Sequence, residues 1–164
     1  MATMKERLLP LLAEMEPGNI LFRPVEDDED IWYAVEGCQL TPEQQECVNS
    51  GGFSLGRAYL HPERSLPCLI CRPDGERIGF ILFTEWLGEG EASSWSYFID
   101  VRHQGQGFGK AAAQKAVELL KRAYPDRPVK LSTEVFNRRA QALYISIGFR
   151  QLDELDGDDL VFAL

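Results

Sequence analysis

Apolar positions in this chain recur either at every second residue or at helical spacing, which predicts short strands mixed with amphipathic helices. A first helix is expected over residues 4–15, with Pro10 interrupting it or delaying its start. Residues 20–25 predict the first strand. Three short helices should follow. The first covers residues 31–35, and the second starts at Thr41, with Pro42 in its first turn, and is broken by Gly51-Gly52. The third covers residues 53–60.

The middle of the chain predicts a hairpin and a further strand. Residues 66–72 and 77–83 flank Pro73-Asp74-Gly75, a sequence typical of a tight turn. The second of these strands is a continuous apolar run, which indicates burial on both of its faces. A turn at residues 88–91 should then lead into a strand over residues 93–101.

The C-terminal part predicts helix and strand in alternation. In chain order, the expected elements are a helix over residues 111–124, a strand over 129–133, a helix that begins at Asn137 and ends at Gly148, and two closing strands, over 149–152 and 160–164, around an acidic turn at 153–159.

Length and charge limit the classes of function. A chain of 164 residues suffices for one domain, residues 1–164, with a real core. Its 17 basic and 26 acidic residues give a net charge of −9, which argues against nucleic acid and is compatible with a cationic substrate. The acidic run at residues 26–30 predicts either a solvated helix start or an entrance that attracts cations. No signal peptide and no membrane span are visible, so we expect a cytoplasmic protein without a membrane partner.

The four cysteines give no sign of a metal site. Cys68 and Cys71 have C-x-x-C spacing but lie in a predicted strand, where residues three apart point to opposite faces. No second pair or histidine follows at the spacing of a zinc site. We therefore expect reduced thiols and no metal.

A glycine-rich stretch separates the strand over residues 93–101 from the helix over 111–124. It consists of Gln104, Gly105, Gln106, Gly107, Phe108, Gly109 and Lys110. Glycine lets the backbone turn tightly, and the unpaired amides that begin the following helix form an anion site suited to a pyrophosphate. The spacing fits neither the dinucleotide fingerprint nor the nucleoside-triphosphate loop. A glycine-rich turn without a ligand is the alternative.

Two motifs resemble those of the GNAT acetyltransferase superfamily. The pattern Gln104-x-x-Gly107-x-Gly109 is similar to its coenzyme A pyrophosphate loop. The segment from Asn137 through Tyr144 to Gly148-Phe149 is similar to a second signature, in the expected order. The resemblance covers about residues 67–152. Residues 40–58 are more loosely similar to bacterial members described as spermine/spermidine acetyltransferases.

The resemblance implies an α/β (α+β) fold with a mixed, mostly antiparallel sheet of six or seven strands and helices on both faces. The strands over residues 93–101 and 129–133 should run parallel, because a helix crosses over between them. They should also splay apart to admit acetyl-CoA.

The resemblance also implies roles for individual residues in acetyl transfer from acetyl-CoA to an amine. The residues expected to bind acetyl-CoA are Tyr97, Phe98 and Ile99 through their backbone, Gln104, Gly105, Gln106, Gly107, Phe108, Gly109 and Lys110 around the pyrophosphate, and Asn137 on the cofactor arm. Tyr144 is the expected general acid for the leaving thiolate, since a phenol with a pKa of about 10 is protonated at neutral pH. An ordinary core aromatic is the alternative interpretation of Tyr144.

The attacking amine must lose a proton, so a base or a water chain is needed. Some family members carry a glutamate on the strand before the phosphate loop, but residues 92–99 contain none. Glu85 is the expected catalytic base and Glu91 the other candidate, and each is otherwise a surface carboxylate.

The acceptor is expected to be a primary amine of a small molecule, with a polyamine favoured by the acidic composition. An amino acid, an aminoglycoside-like compound and a protein N-terminus are alternatives, as is a non-catalytic acyl-CoA-binding module. The oligomeric state is not readable from the sequence, and a homodimer is one option.

Overall fold

The computed structural model describes residues 1–86 and 90–164, and within this part seven strands form two sheets. The first sheet is antiparallel in the order β1-β2-β3-β4, and the second is antiparallel in the order β5-β7-β6. The strands are β1 Leu21–Pro24, β2 Ser65–Cys71, β3 Arg77–Glu85, β4 Ser93–Ile99, β5 Lys130–Thr133, β6 Arg150–Asp156 and β7 Asp159–Ala163. Of the predicted turn at residues 88–91, residues 88 and 89 lie outside the described residues.

The helices begin where short polar side chains cap them. Thr3 caps α1, Thr41 caps α3 and Asn137 caps α6, each by accepting a hydrogen bond from an amide in the first turn. The helices are α1 Met4–Glu14, α2 Asp28–Trp32, α3 Pro42–Gln45, α4 Gly51–Leu60, α5 Phe108–Ala123 and α6 Arg138–Ser146. A π-helical turn, Tyr33–Gly37, continues α2, and a 3₁₀ turn, Val101–His103, follows β4.

The two sheets meet at one parallel bridge, between Ser93 of β4 and Val129. There the Ser93 amide donates to the Pro128 carbonyl at 3.0 Å. No other backbone pair joins β4 to β5 among the described residues, so the strands separate beyond this bridge. The predicted parallel pair, and its splaying, are confirmed.

Helices cover both faces of the first sheet, as predicted. On one face, α1 and α5 bury Met4, Leu8 and the alanines of α5 against the sheet. On the other face, the π-helical turn and α4 pack against Phe80 and Phe98. No helix in the described ranges has the length and apolarity that crossing a membrane would take.

Three predicted boundaries were wrong. Gly51-Gly52 begins α4 instead of ending a helix, because Ser50 caps α4 there and a Cβ at Gly51 would lie 1.9 Å from the Ala34 carbonyl oxygen. Pro10 lies inside α1, which starts at Met4 because Thr3 and Glu6 form a capping box there. The predicted acidic turn is mostly strand, since β6 continues to Asp156 by pairing with β7.

The acidic run at residues 26–30 is a solvated helix start except at its last position. Asp27 caps α2, and the first four acids are exposed. Asp30 is fully buried and accepts hydrogen bonds from Arg23 at 2.7 Å and from Arg77 at 3.0 Å. This ion-pair cluster ties α2 to β1 and β3.

Candidate active site

The glycine-rich loop joins β4 to α5 through two residues in the left-handed region. Gly105 has a φ of +75° and Gly107 a φ of +86°. A Cβ at either position would meet no atom within 4 Å, so backbone conformation is what favours glycine here. Gly107 is the N-cap of α5 and supplies no side-chain acceptor. The amides of residues 105–110 therefore donate to no acceptor in the described part of the chain, which leaves them for an anion.

A buried carboxylate holds the start of this loop. Asp100 is fully buried, and its Oδ1 accepts from Arg102 Nε at 2.9 Å. Burial opposes ionisation, but the hydrogen bonds from Arg102 and from the Gln39 amide outweigh it and lower the pKa of Asp100. The loop thus leaves β4 from a fixed point.

The Gln104 side chain points into the protein. Its Nε2 donates to the Ile99 carbonyl at 2.7 Å, and its Oε1 accepts from Gln44 Nε2 at 2.7 Å. The side chain therefore shapes the loop, and contact between Gln104 and acetyl-CoA stays a prediction.

The edge of β4 that faces β5 offers backbone groups to an extended ligand. β4 pairs with β3 along its other edge, and among the described residues its only bridge toward β5 joins Ser93 to Val129. The Tyr97 hydroxyl donates to the Gly109 carbonyl at 3.1 Å, which fixes this strand against the first turn of α5. Phe98 and Ile99 are buried. The predicted backbone role of residues 97–99 requires such an open edge.

Tyr144 of α6 combines core packing with an available hydroxyl. Only 8% of the residue is exposed, and its ring lies 5.8 Å from Phe149 and 6.2 Å from Phe162. The hydroxyl lines a cleft between the separated strands and has no hydrogen-bond partner within residues 1–86 and 90–164. Burial, and then the charge of Glu134, raise the pKa of Tyr144 to about 12. The phenol therefore keeps its proton at neutral pH.

The cleft has a volume of about 440 Å³, which is typical of a small-molecule site. Its lining includes residues 94–97 of β4, Ser132 and Glu134, and Tyr144. The lining also includes residues 46–49, which follow α3, and Asp156 and Asp159 of the hairpin of β6 and β7. We call residues 46–49 the acceptor wall.

Carboxylates dominate the charge of this cleft. Those among its described lining residues are Glu46, Glu85, Glu134, Asp156 and Asp159, whereas Arg57 is the only basic side chain of that set. Burial raises the pKa of Asp159, and the neighbouring Asp156 and Asp158 raise it further. Such a surface attracts cations.

The predicted base, Glu85, lines the cleft but already has cationic partners. Its carboxylate lies 3.5 Å from Arg127 and 3.9 Å from Arg64. The side chain of Glu91 also pairs with Arg127, is 82% exposed, and is not part of the cleft lining. The role of Glu85 as base stays a prediction.

Sequence reasoning missed Glu134, which lies closer to the expected chemistry. Its position three residues before Asn137, after β5, was the available signal. Glu134 lines the cleft beside Tyr144 and accepts from Asn137 Nδ2 at 3.5 Å. The Asn137 Oδ1 meanwhile accepts from the Ala140 amide at 3.2 Å. Asn137 therefore caps α6 and faces Glu134, and its contact with acetyl-CoA stays a prediction.

Gln141 is a second residue that the motifs did not reveal. Its buried amide donates to the carbonyls of Glu134 at 3.1 Å and Val135 at 2.9 Å. These bonds hold the segment between β5 and α6, and they fix the position of Glu134 relative to Tyr144.

The described residues contain no cluster of three metal-binding side chains. The four cysteines are free thiols, and burial raises the pKa of Cys68 in β2. A buried thiol of this kind is inert toward metals and oxidants.

Comparison with known proteins adds a family and a fold. The acetyltransferase (GNAT) family model matches residues 25–149. Mycothiol acetyltransferase from Beutenbergia cavernae is 31% identical over 154 residues, an alignment that covers 85% of this chain and 48% of that protein. The chain thus spans about half the length of this relative.

Solved structures share the fold. Spermidine N-acetyltransferase from Vibrio cholerae, in complex with CoA and spermine, matches with a TM-score of 0.59 and 17% identity over 88% of this chain and 93% of that one. An acetyltransferase from Agrobacterium tumefaciens matches with a TM-score of 0.62 and 16% identity over 92% of both chains.

Proposed function

Because the chain belongs to the GNAT acetyltransferase family, we propose that it transfers an acetyl group from acetyl-CoA directly to a primary amine of a small cationic molecule. The observation that carries this proposal is the Tyr144 hydroxyl, which is unpartnered among the described residues and opens onto the cleft between β4 and β5. A buried tyrosine needed only for packing would not require its hydroxyl to reach a cleft.

The residues around this cleft fit acetyl-CoA, which supplies an activated acetyl thioester. The amides of residues 105–110 offer donors to the pyrophosphate, and the helix dipole of α5 favours its negative charge. The open edge of β4 offers backbone groups to the pantetheine arm. Tyr144 holds a proton at its hydroxyl, available to the thiolate that leaves.

The transfer forms a bond between the amine nitrogen and the acetyl carbon as the carbon–sulfur bond breaks. Before that, the ammonium has to give its proton to a base or to water. Glu85 and Glu134 are the candidates in the cleft. Glu134 forms no ion pair within the described residues, whereas two guanidinium groups compete for Glu85. This difference favours Glu134 as the carboxylate that meets the acceptor.

A polyamine is the acceptor that the cleft favours. Its carboxylates are distributed over the acceptor wall, the end of β5 and the hairpin of β6 and β7, so they can attract several ammonium groups of one extended molecule. The structural relative that binds spermine is consistent with this substrate class.

Three further expectations belong to the proposal. The free thiols suit a reducing, cytoplasmic location. Residues 1–164 would form one acetyltransferase domain. A homodimer, without nucleic-acid or membrane partners, stays a prediction.

The test is release of CoA thiol in the presence of a panel of acceptors: spermidine, spermine, lysine, an aminoglycoside and a peptide with a free N-terminus. We expect the highest kcat/KM for a polyamine, with a KM that rises with salt because screening weakens the attraction. Glu134→Gln should raise this KM several-fold, whereas Glu91→Gln, outside the cleft lining, should not. Preference for another acceptor would overturn the polyamine assignment, and acetyl-CoA binding without release would indicate a non-catalytic module.

A further inference from the structure

We infer that Gln44 is a positioning residue that couples the pyrophosphate loop to the acceptor wall, an inference that rests on the proposed function. Gln44 lies in α3, 60 residues before Gln104 of the loop, and their side-chain amides form a reciprocal pair. Gln44 Nε2 donates to Gln104 Oε1 at 2.7 Å, and Gln104 Nε2 donates back to Gln44 Oε1 at 3.2 Å.

The pair has one geometry, because a third group orients Gln104. The Gln104 Nε2 also donates to the Ile99 carbonyl at 2.7 Å, at the end of β4. Turning the Gln104 amide over would place its oxygen against that carbonyl and against Gln44 Oε1. Gln44 therefore acts as donor to Gln104 Oε1, and a side chain that cannot donate cannot replace it.

The segment before α3 is attached to the same loop by its backbone. The Val101 amide donates to the Gln39 carbonyl at 2.8 Å, and the Gln39 amide donates to Asp100 at 3.4 Å. Arg102 donates to the Gly37 carbonyl at 3.1 Å. Residues 37–44 thus follow the beginning of the loop closely, and Gln44 is the last of these attachments.

The acceptor wall starts two residues after Gln44. Residues 46–49 line the cleft in which Glu134 and Tyr144 lie. α3 has only four residues and buries none of them, and the amide pair is its side-chain connection to the pyrophosphate loop, while Leu40 and Val48 on either side pack against the core. A movement of the pyrophosphate loop should therefore also displace the acceptor wall.

This connection makes the two substrates bind cooperatively. Fixing the loop by the pyrophosphate also fixes the acceptor wall, so less conformational entropy of the wall remains to be lost when the acceptor binds. Linkage requires that the acceptor strengthen CoA binding by the same factor.

The experiment measures CoA affinity by calorimetry, with and without saturating spermidine, in the full-length chain. CoA replaces acetyl-CoA so that no transfer occurs. For the wild type, we expect spermidine to tighten CoA binding by about fivefold or more. For Gln44→Met, which keeps the length of the side chain but loses its amide, we expect CoA binding roughly tenfold weaker, with a spermidine effect close to none. In turnover, KM for both substrates should rise while kcat stays nearly unchanged, since Tyr144 is untouched.

Thr41→Ala is the matched control, because it removes the hydroxyl that caps α3 and leaves the amide pair intact. It should keep both the CoA affinity and the spermidine effect. Gln44→Asn, whose shorter side chain cannot reach Gln104, should behave like Gln44→Met and replaces it if that variant does not fold.

Two failures are distinguishable. If the wild-type protein does not bind CoA, the proposed function itself is refuted. Wild type that binds CoA, paired with Gln44 variants that keep both its affinity and its response to spermidine, would overturn the coupling role alone. A wild type that binds both ligands without mutual effect would overturn it too.

Discussion

At the scale of single residues, Tyr144 is where packing and chemistry have to be separated. Its ring packs in the hydrophobic core, and its hydroxyl faces the cleft. Tyr144→Phe keeps the ring, so we expect nearly unchanged folding and acetyl-CoA affinity. Turnover with a saturating amine should fall by roughly 10²–10⁴, the usual contribution of a positioned acid.

The measurement is CoA-thiol release, compared with thermal unfolding of the same variant. Tyr124→Phe is a suitable control, because Tyr124 is equally buried but lies at the end of α5 and outside the cleft lining. Normal turnover in a well-folded Tyr144→Phe protein would leave Tyr144 as a core aromatic only.

Individual residues also show which features a local sequence pattern predicts and which it does not. Asn137 and Tyr144 fall in a contiguous motif, so their places at the N-cap and in the last turn of one helix could be predicted. The burial of Asp30 could not, because it depends on Arg23 in β1 and also on Arg77 in β3, 47 residues away in the chain. An acidic run is ordinarily solvated, and nothing local marks its last member as different.

At the scale of elements, the loop between β4 and α5 depends on the conformation of Gly107. At its φ of +86°, a β-branched residue is strained, although a Cβ would meet no protein atom within 4 Å. Gly107→Val should therefore displace the amides that begin α5, and we expect acetyl-CoA binding to be lost in calorimetry.

The matched control is Gly56→Val, at an exposed glycine of α4 where a Cβ also meets nothing and the helical conformation suits any residue. It should bind acetyl-CoA like the wild type. Unchanged affinity in Gly107→Val would refute the assignment of residues 105–110 to the pyrophosphate.

The Asp30 cluster fixes α2 on the sheet in a pH-dependent way. Hydrogen bonds from Arg23 lower the pKa of Asp30 to about 2 from its ordinary 3.8, against the opposing effect of burial and with a further contribution from Arg77. Because the pKa of Asp30 is lower in the folded than in the unfolded protein, its ionised carboxylate stabilises the fold in full at any pH above the unfolded-state pKa. That stabilisation is lost as the pH falls from about 4 toward about 2.

We expect Asp30→Asn to lower the free energy of unfolding by about 2 kcal/mol at neutral pH. The difference in the free energy of unfolding between this variant and the wild type should become smaller below about pH 4. Denaturant unfolding across this pH range measures both. Glu29→Gln is the control, since Glu29 pairs with Arg77 at 3.5 Å but is 84% exposed and should contribute little. A difference between Asp30→Asn and wild type that is constant with pH would contradict the ion-pair explanation.

At the scale of the whole molecule, the glycine loop and the helix from Asn137 could be predicted, and the assembly of the cleft could not. The glycine loop and the helix from Asn137 each lie in one continuous stretch, and the helix crossing between them determines that β4 and β5 are parallel. The carboxylates of the cleft include Glu46, Glu134 and the pair Asp156 and Asp159, which come from three distant segments. Only the tertiary fold brings them together, so composition suggested a cationic substrate without locating its site.

The proposed direct transfer is tested most simply by a single turnover followed by mass spectrometry. Enzyme, acetyl-CoA in substoichiometric amount and spermidine are mixed, and the masses of spermidine and of the intact chain are measured. We predict spermidine that gains one acetyl group while the chain never gains one, at a rate that matches CoA-thiol release. Acetyl found on the chain as a kinetically competent intermediate, or CoA released without an acetylated amine, would contradict direct transfer.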